Sequence, residues 1–208
     1  MRKLALLGSS GHGKVVADIA QQLGWDAIEF YDDAWPNIRN NSMWPVVGNG
    51  DSLLREISNY DGVLVSIGNC SIRWEKHQLL ESSGGRIVTL IHPAATVSRY
   101  ANIDEGSVVM AGAVINIDVN IGPSSIINTG ATVDHDCRIS EAVHIAPGVH
   151  LSGNVKVGSL SWIGVGSCIK QGIAVGAGVM VGAGAVVVKP VDDLQIVVGN
   201  PARPMTAK

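Results

Sequence analysis

The segment VDHDCRISEAVHIAPGVHLSGNVKV, residues 133–157, belongs to a longer run in which Ile, Val or Leu recurs at every sixth position. The run extends from Ile91 to Val187 without a change of register. A second column, four residues further on, holds mostly small or β-branched residues such as Ala113 and Cys137. Neither a helix nor an alternating strand has a period of six. The run therefore predicts stacked repeats that share one aliphatic core.

The composition is typical of a glycine-rich β-solenoid. Of 208 residues 25 are Gly, and charged and aromatic residues make up only 16% and 4%. A net charge of −3 gives no basic field for a nucleic-acid partner. The three cysteines lack metal-ligand spacing, so they predict reduced thiols in a cytoplasmic protein. The uncharged stretch 172–188 keeps the six-residue register, which favours solenoid over a membrane span.

The residues ahead of the run alternate strand and helix patterns. Apolar runs predict strands, and helical spacing with Gly, Ser or Asn at the ends predicts helices. We expect strands over 3–7, 27–31 and 62–67, helices over about 15–23, 51–58 and 71–82 with Ser71 as a cap, and a loop over 35–49. Such alternation predicts a small, Rossmann-like parallel α/β sheet with crossover helices.

Three polar or glycine-rich turns follow the predicted strands. They are residues 8–14, Asp32-Asp33 and Gly68-Asn69, at the strand ends where ligands bind in open parallel sheets. The first turn has neither the G-x-G-x-x-G spacing nor a P-loop lysine. Two interpretations stay open for it: an anion site at a helix N-terminus, or a tight turn without a ligand.

The six-residue run resembles that of the hexapeptide-repeat acyltransferases, and so does the tail Gly199-Asn200-Pro201-Ala202-Arg203. The resemblance implies a left-handed parallel β-helix with three hexads per coil. It also implies a homotrimer that binds acetyl-CoA between neighbouring prisms. On this basis we expect a nucleotide-sugar-binding domain over residues 1–88 and the β-helix acyltransferase domain over 89–191. The tail, residues 192–208, is expected to contribute to coenzyme A binding.

Shorter motifs narrow the resemblance to sugar acetyltransferases of bacterial glycan pathways. These motifs are Ser10-Gly11-His12-Gly13, Asp32-Asp33, Ile67-Gly68-Asn69, Asp134-His135-Asp136-Cys137, His144 and Ser152-Gly153-Asn154. Relatives of the bacillosamine type acetylate the 4-amino group of UDP-linked deoxyamino sugars. The sialic acid O-acetyltransferases share this layout, so a sugar hydroxyl is the alternative acceptor. Bacillosamine-type enzymes carry Glu-His-Glu where this chain has Asp134-His135-Asp136, so each carboxylate here is one methylene shorter.

His135 is the candidate general base because a neutral imidazole can take a proton from an attacking amine near neutral pH. Asp136 could hold the other ring nitrogen and raise its basicity. The resemblance implies coenzyme contacts from His144, Gly153, Asn128, Val165 and Gly184, with the N–H of Gly153 as an oxyanion donor. It implies substrate contacts from Ser10, Gly11, His12, Asp32, Asp33 and Gly68, and it implies no metal.

Other interpretations of the same residues are weaker. The acid-flanked His135 also fits an exposed, charge-paired turn. A zinc site formed by His135, His144 and His150, as in a carbonic-anhydrase-like hydrolase on this fold, matches no standard ligand spacing. A non-catalytic structural trimer is the remaining class.

Overall fold

The computed structural model describes residues 1–205, and within it the chain divides into two compact units. Unit 1 comprises Met1–Pro93, and unit 2 begins at Ala94. The division lies close to the expected boundary between residues 88 and 89, which stays a prediction. Residues 206–208 of the expected coenzyme-binding tail lie outside the described range.

Unit 1 is a parallel sheet flanked by helices. Its elements are β1 (Lys3–Leu7), α1 (Gly11–Gln22), β2 (Ala27–Tyr31), β3 (Asn40–Asn41), β4 (Trp44–Gly48), α2 (Gly50–Glu56), a 3₁₀ turn (Ile57–Asn59), β5 (Gly62–Val65), α3 (Cys70–Ser82) and β6 (Leu90–Ile91). The sheet order is β3-β4-β2-β1-β5, in which only β3 runs antiparallel to its neighbour. The α/β prediction is confirmed.

Two details of unit 1 differ from expectation. Residues 35–49 contain a strand, β4, that pairs with β2, although its prolines indicated a loop. Asn69, not Ser71, caps α3, because its Oδ1 accepts the N–H of Ile72 at 3.0 Å. Ser71 donates its hydroxyl to the same oxygen at 2.9 Å, so it supports the cap without being it.

Unit 2 is a left-handed parallel β-helix whose two-residue strands form three faces. Face 1 consists of β7 (Thr96–Val97), β10 (Val114–Ile115), β13 (Thr132–Val133), β16 (His150–Leu151), β19 (Cys168–Ile169) and β22 (Val186–Val187). Face 2 consists of β8 (Asn102–Ile103), β11 (Asn120–Ile121), β14 (Arg138–Ile139), β17 (Lys156–Val157) and β20 (Ala174–Val175). Face 3 contains β9 (Val108–Val109), β12 (Ile126–Ile127), β15 (His144–Ile145), β18 (Trp162–Ile163) and β21 (Met180–Val181), followed by β23 (Ile196–Val198) and the antiparallel β24 (Arg203–Pro204).

The register establishes three hexads per coil. Val133 pairs with Leu151 and Ile145 with Ile163, each eighteen residues further along the chain. The second residue of each strand points inward, and from Val109 to Val187 this column is at most 3% exposed. Each buried aliphatic side chain contributes about 1.5–3 kcal/mol of transfer free energy. The first residue of each strand points outward, so faces and corners carry the functional side chains.

Candidate functional site

His135 lies at the corner between faces 1 and 2, in the turn that follows β13. Its Nδ1 is 2.7 Å from Oδ2 of Asp136, and the side chains of both residues are more than half exposed. Asp136 adopts φ = 61°, in the left-handed region that Asp tolerates better than most residues. The expected imidazole–carboxylate pair is therefore present in the structure.

The aspartate is long enough to reach the imidazole despite its missing methylene. Asp134, on the other side of His135, has a different role. Its Oδ1 accepts the backbone N–H of His135 and Nδ2 of Asn116, both at 2.8 Å. One carboxylate thus binds the ring, while the other holds the backbone of the turn.

The charges around His135 favour its protonated form. The hydrogen bond to Asp136 is the largest influence that raises the pKa of His135 above its ordinary value, and the charge of Asp134 adds to it. The N–H of His135 and the amide of Asn116 in turn lower the pKa of Asp134. A stronger base with a fixed ring orientation is suited to removing a proton from an amine.

Gly153 lies one coil further on and packs against the His135 ring. A Cβ at Gly153 would lie 2.5 Å from Cε1 and 2.6 Å from Nε2 of the imidazole. The neighbouring N–H groups of Ser152 and Asn154 donate to Ile169 and His135, respectively. Within residues 1–205 no protein acceptor is found for the N–H of Gly153. Only glycine allows the ring this position, and its N–H remains available to a ligand.

His144 lies on face 3, where it is 4% exposed. Its ring is 4.0 Å from the ring of Trp162, and its Nε2 is 3.1 Å from Nδ2 of Asn128. Oδ1 of Asn128 accepts the N–H of Thr129 at 2.8 Å, which orients the amide so that Nδ2 donates to His144. Nε2 of His144 is therefore an acceptor, and the neutral ring carries its proton on Nδ1.

The other two expected coenzyme contacts lie near this pair. Val165 and Gly184 belong to the corner between faces 3 and 1, as Asn128 does, and the N–H of Gly184 donates to the carbonyl of Val165 at 2.8 Å. Val165 is half exposed, and there is open space where a Cβ of Gly184 would lie. This corner is open to a ligand along several coils.

Within one chain, the proposed base and the expected coenzyme contacts of the other corner do not come together. His135 and Gly153 lie on one edge of face 1, whereas Asn128, Val165 and Gly184 lie on its opposite edge. His150 points outward from face 1 and contacts Thr132 at 2.9 Å. The three histidines of the conceivable zinc site are thus on separate surfaces. In the described part of the chain no cluster of metal-ligating side chains is found.

Unit 1 has a cavity of about 260 Å³ where its parallel strands end. Its lining includes Ser10, Asp32 and Asp33 from the expected substrate contacts, whereas Gly11, His12 and Gly68 are not part of it. Asp32 accepts the N–H and hydroxyl of Ser9 at 2.7 and 2.9 Å. Burial pushes the pKa of Asp32 upward, but these bonds and that from Ala34 outweigh it and leave the pKa lowered.

Three residues near these sites were not singled out from the sequence. Ser9 and Lys76 line the cavity of unit 1, and Trp162 covers His144. Lys76 lies seven residues after the cap Asn69, two turns along α3, so its helical spacing was the available signal. Trp162 lies one coil after His144 in the same hexad slot, a relation that depends on three hexads per coil.

His12 is partly buried beside Arg73. Burial, followed by the charge of Arg73, lowers the pKa of His12 to about 4. Arg73 is 1% exposed and donates to the carbonyls of Ile67 and Gly68 at 3.0 and 2.7 Å. His12 is therefore neutral near pH 7, so it can bind a phosphate only as a neutral donor and not as a cation.

We expect the stability of unit 1 to fall as the pH drops from 6.5, the ordinary value for His, to about 4. In this window the unfolded chain binds a proton at His12 that the folded unit does not, which costs about 2–3 kcal/mol at pH 4.5. Denaturant unfolding at pH 7 and 4.5 measures the loss, since four of the five tryptophans lie in unit 1. Between these two pH values the His12→Gln variant should lose about 2–3 kcal/mol less stability than the unaltered protein. An equal loss in both proteins would contradict this assignment.

Comparison with known proteins identifies the fold. Residues 3–80 match the family model of the PglD N-terminal domain. A curated relative, UDP-N-acetylbacillosamine N-acetyltransferase of Bacillus subtilis (strain 168), is 36% identical over 114 residues. That match covers 53% of this chain and 52% of the relative, so the chain aligns with about half of its length.

Solved structures match over almost the whole chain. The acetyltransferase domain of PglB from Neisseria gonorrhoeae FA1090, in complex with acetyl coenzyme A, is 45% identical with a TM-score of 0.94, covering 98% of this chain and 99% of that chain. PerB from Caulobacter crescentus, in complex with CoA and GDP-perosamine, is 35% identical with a TM-score of 0.94 and covers 99% and 98%. The described residues contain no helix with the length and apolar character needed to cross a membrane. From its hexad register, its His135 corner and these likenesses, the chain belongs to the hexapeptide-repeat sugar acetyltransferase family.

Proposed function

We propose that this chain is an acetyl-CoA-dependent N-acetyltransferase acting on the amino group of a nucleotide-linked, UDP-type 4-amino-deoxy sugar in bacterial glycan biosynthesis. The observation that carries the proposal is the 2.7 Å contact between His135 and Asp136, with the ring packed on Gly153. Two relatives support an amine acceptor: one is named UDP-N-acetylbacillosamine N-acetyltransferase, and the other, PerB, was solved in complex with CoA and GDP-perosamine.

In the proposed reaction His135 acts as the general base. Asp136 holds Nδ1, so Nε2 is the nitrogen that accepts a proton. The sugar amine attacks the thioester carbon, a C–N bond forms, and Nε2 takes the proton that the amine loses. The C–S bond then breaks, and the same proton passes from Nε2 to the departing thiolate. Transfer is direct, without an acyl-enzyme.

The N–H of Gly153 is our candidate donor to the negative oxygen that develops on the acetyl carbonyl. Its support is the absence of a protein acceptor for this N–H within residues 1–205, beside the ring of His135. Backbone donors that are fixed before the reaction stabilise such an oxygen without a cost of reorientation. Gly153 thus has two roles: it leaves room for the ring and it supplies a donor.

Acetyl-CoA is proposed to bind between two copies of unit 2. The support is that the His135 corner and the Asn128, Val165 and Gly184 corner flank face 1 on opposite edges. If the His135 corner of one copy faces the Asn128 corner of its neighbour, each site is formed by one corner from each of two copies. Such a heterologous contact generates a ring when the rotation between neighbouring copies closes. Three copies per ring follows from the family resemblance, so we propose a homotrimer.

The cavity of unit 1 is proposed to hold the nucleotide part of the acceptor. Asp32 and Asp33 can accept from ribose or base groups, and Asp32 is held ionised by Ser9 and Ala34. Lys76 is a cation in the lining that could bind a phosphate. Because the cell's main pool of acetyl-CoA is cytoplasmic, we also place the reaction in the cytoplasm.

A thiol-release assay tests the function. Acetyl-CoA is combined with UDP-, GDP- and dTDP-linked amino sugars and, separately, with free sialic acid. We expect release with at least one nucleotide-linked amino sugar and none with sialic acid. Mass spectrometry of the product should show one acetyl group on nitrogen. Turnover with hydroxyl acceptors alone would replace the N-acetyl proposal by O-acetylation.

The Asp136→Asn variant should shift the pH dependence of kcat/KM. In the unaltered protein, activity rises as His135 loses its proton, with a midpoint above its ordinary pKa. Removing the carboxylate lowers the pKa of His135, so the midpoint moves to lower pH. The plateau should fall by about tenfold or more, because the ring is a weaker and less well oriented base. An unchanged midpoint would exclude Asp136 as the main influence on His135.

A further inference from the structure

A groove of about 680 Å³ runs along face 2 beside the His135 corner. One wall consists of outward side chains of face 2, namely Asn102, Asn120, Arg138 and Lys156. The other wall is the corner itself and includes Asp118, Asp136 and Asn154. Asp136 therefore belongs both to this groove and to the pair with His135. A ligand in the groove would lie next to the proposed base.

The corner wall keeps polar side chains where glycine would be less strained. Asp118, Asp136 and Asn154 have φ of 60°, 61° and 55°. The corresponding slot between faces 3 and 1 holds glycine in five successive coils, Gly112, Gly130, Gly148, Gly166 and Gly184. A side chain in the left-handed region costs roughly 1–2 kcal/mol relative to glycine, although Asn and Asp tolerate it best.

The opposite wall places two cations in adjacent coils. Arg138 and Lys156 are directly paired in the sheet, where neighbouring strands lie about 4.8 Å apart. Like charges in this position repel each other. Both side chains are exposed, and no ion pair joins either of them to an acid in the described range of the chain. Asp118 and Asp136 lie across the groove but beyond ion-pair distance. The two cations are thus available to an anion.

The position of these cations distinguishes between the anionic groups of the two co-substrates. Arg138 follows His135 by three residues, so their Cα atoms are at most about 10 Å apart. The phosphates of coenzyme A are separated from its thioester by the whole pantetheine arm. In a nucleotide-linked amino sugar, only the sugar ring separates the reacting amine from the nearest phosphate. With the amine at His135, the acceptor's phosphate is the one that can lie at Arg138.

We propose that the face 2 groove binds the sugar and the adjoining phosphate of the acceptor, with Arg138 and Lys156 as the phosphate ligands. The asparagines and Asp118 supply donors and acceptors for sugar hydroxyls. This inference rests on the proposed function and adds to it. The groove makes the enzyme select phosphate-linked amino sugars over free ones.

The test compares Arg138→Gln, Lys156→Gln and the double variant with a matched control, Arg55→Gln, an exposed cation of α2 in unit 1. The probes are acetyl-CoA, the nucleotide amino sugar with the highest turnover, and the same amino sugar without its nucleotide. We expect the KM for the nucleotide sugar to rise about tenfold or more in each groove variant, since each loses a charge-assisted bond. In the groove variants, the KM for acetyl-CoA and the slow rate on the free sugar should change less than about twofold. In the Arg55→Gln control, the KM for the nucleotide sugar should also change less than about twofold.

Other outcomes overturn the proposal. A rise in the KM for acetyl-CoA alone would assign the cations to coenzyme A. A change in the molecular mass of the double variant, measured by light scattering, would assign them to a contact between copies. If the unaltered protein acetylates no nucleotide sugar, the proposed function itself fails. The groove is then tested by calorimetry with inorganic pyrophosphate, and equal binding by the unaltered protein and the double variant would refute it.

Discussion

Replacing His135 with alanine should lower kcat/KM by about 100-fold or more, the lower part of the range for a general base. The ring is exposed at a corner and contributes nothing to the aliphatic core, so the β-helix should remain folded. Residual activity should also lose the part of its rise with pH that reports the proton on His135, and keep only the part that comes from deprotonation of the acceptor ammonium. Steady-state thiol release between pH 5.5 and 9 measures both effects.

The matched control is His150→Ala. His150 is another exposed histidine, on face 1, and its contact is with Thr132. Its replacement should leave kcat/KM within about twofold, as is usual for surface changes of less than 0.5 kcal/mol. Circular dichroism and light scattering verify that both variants keep their fold and assembly. Full activity in the His135→Ala variant would rule out the proposed base and favour a non-catalytic role for the corner.

The Gly153→Ala variant should be almost as damaging, although it adds only one methyl group. The new Cβ would lie 2.5–2.6 Å from the ring of His135, closer than carbon atoms approach each other. The imidazole must then move, and a displacement of about 1 Å at a catalytic group costs on the order of 100-fold. The backbone N–H is kept, so the loss reports the ring position and not the oxyanion donor.

A double-mutant cycle separates these roles. In the His135→Ala background there is no ring to displace, so adding Gly153→Ala should reduce kcat/KM by less than about threefold. The measurement is the initial rate, with saturating acetyl-CoA, of the unaltered protein, the two single variants and the double variant. Losses that multiply would mean that Gly153 acts independently of His135, for example by contacting the coenzyme directly.

Local pattern was enough to predict the two-part architecture. The hexad register and the alternation of strands and helices before it depend on residues close in sequence. Strand β4, which the local pattern did not predict, shows the limit of prediction from residues that are close in sequence. Pro36 and Pro45 indicated a loop, yet Pro45 is the second residue of β4 and lies opposite Asn40 of β3, near the start of the strand where proline is tolerated. Pairing of β4 with β2 is a long-range event that no local pattern reports.

The candidate site also contains one contact that the sequence could predict and one that it could not. The pair of His135 and Asp136 was predictable because the two residues are adjacent, and only the reach of the shorter carboxylate needed coordinates. The contact of Gly153 with the ring was not predictable from spacing alone. The two residues are eighteen positions apart, and their contact requires three hexads per coil, which the period of six does not state.

His144 and His150 illustrate the limit most clearly, since both occupy the same hexad slot immediately before an inward residue. The hexad pattern is sufficient to predict that both side chains point outward from the β-helix, because alternate residues of a strand face opposite sides. The difference between them appears in the folded chain, where His144 is buried and His150 is exposed. Burial depends on the residues one coil away, Trp162 and Asn128 for the first, and stacking of coils brings these together across the chain.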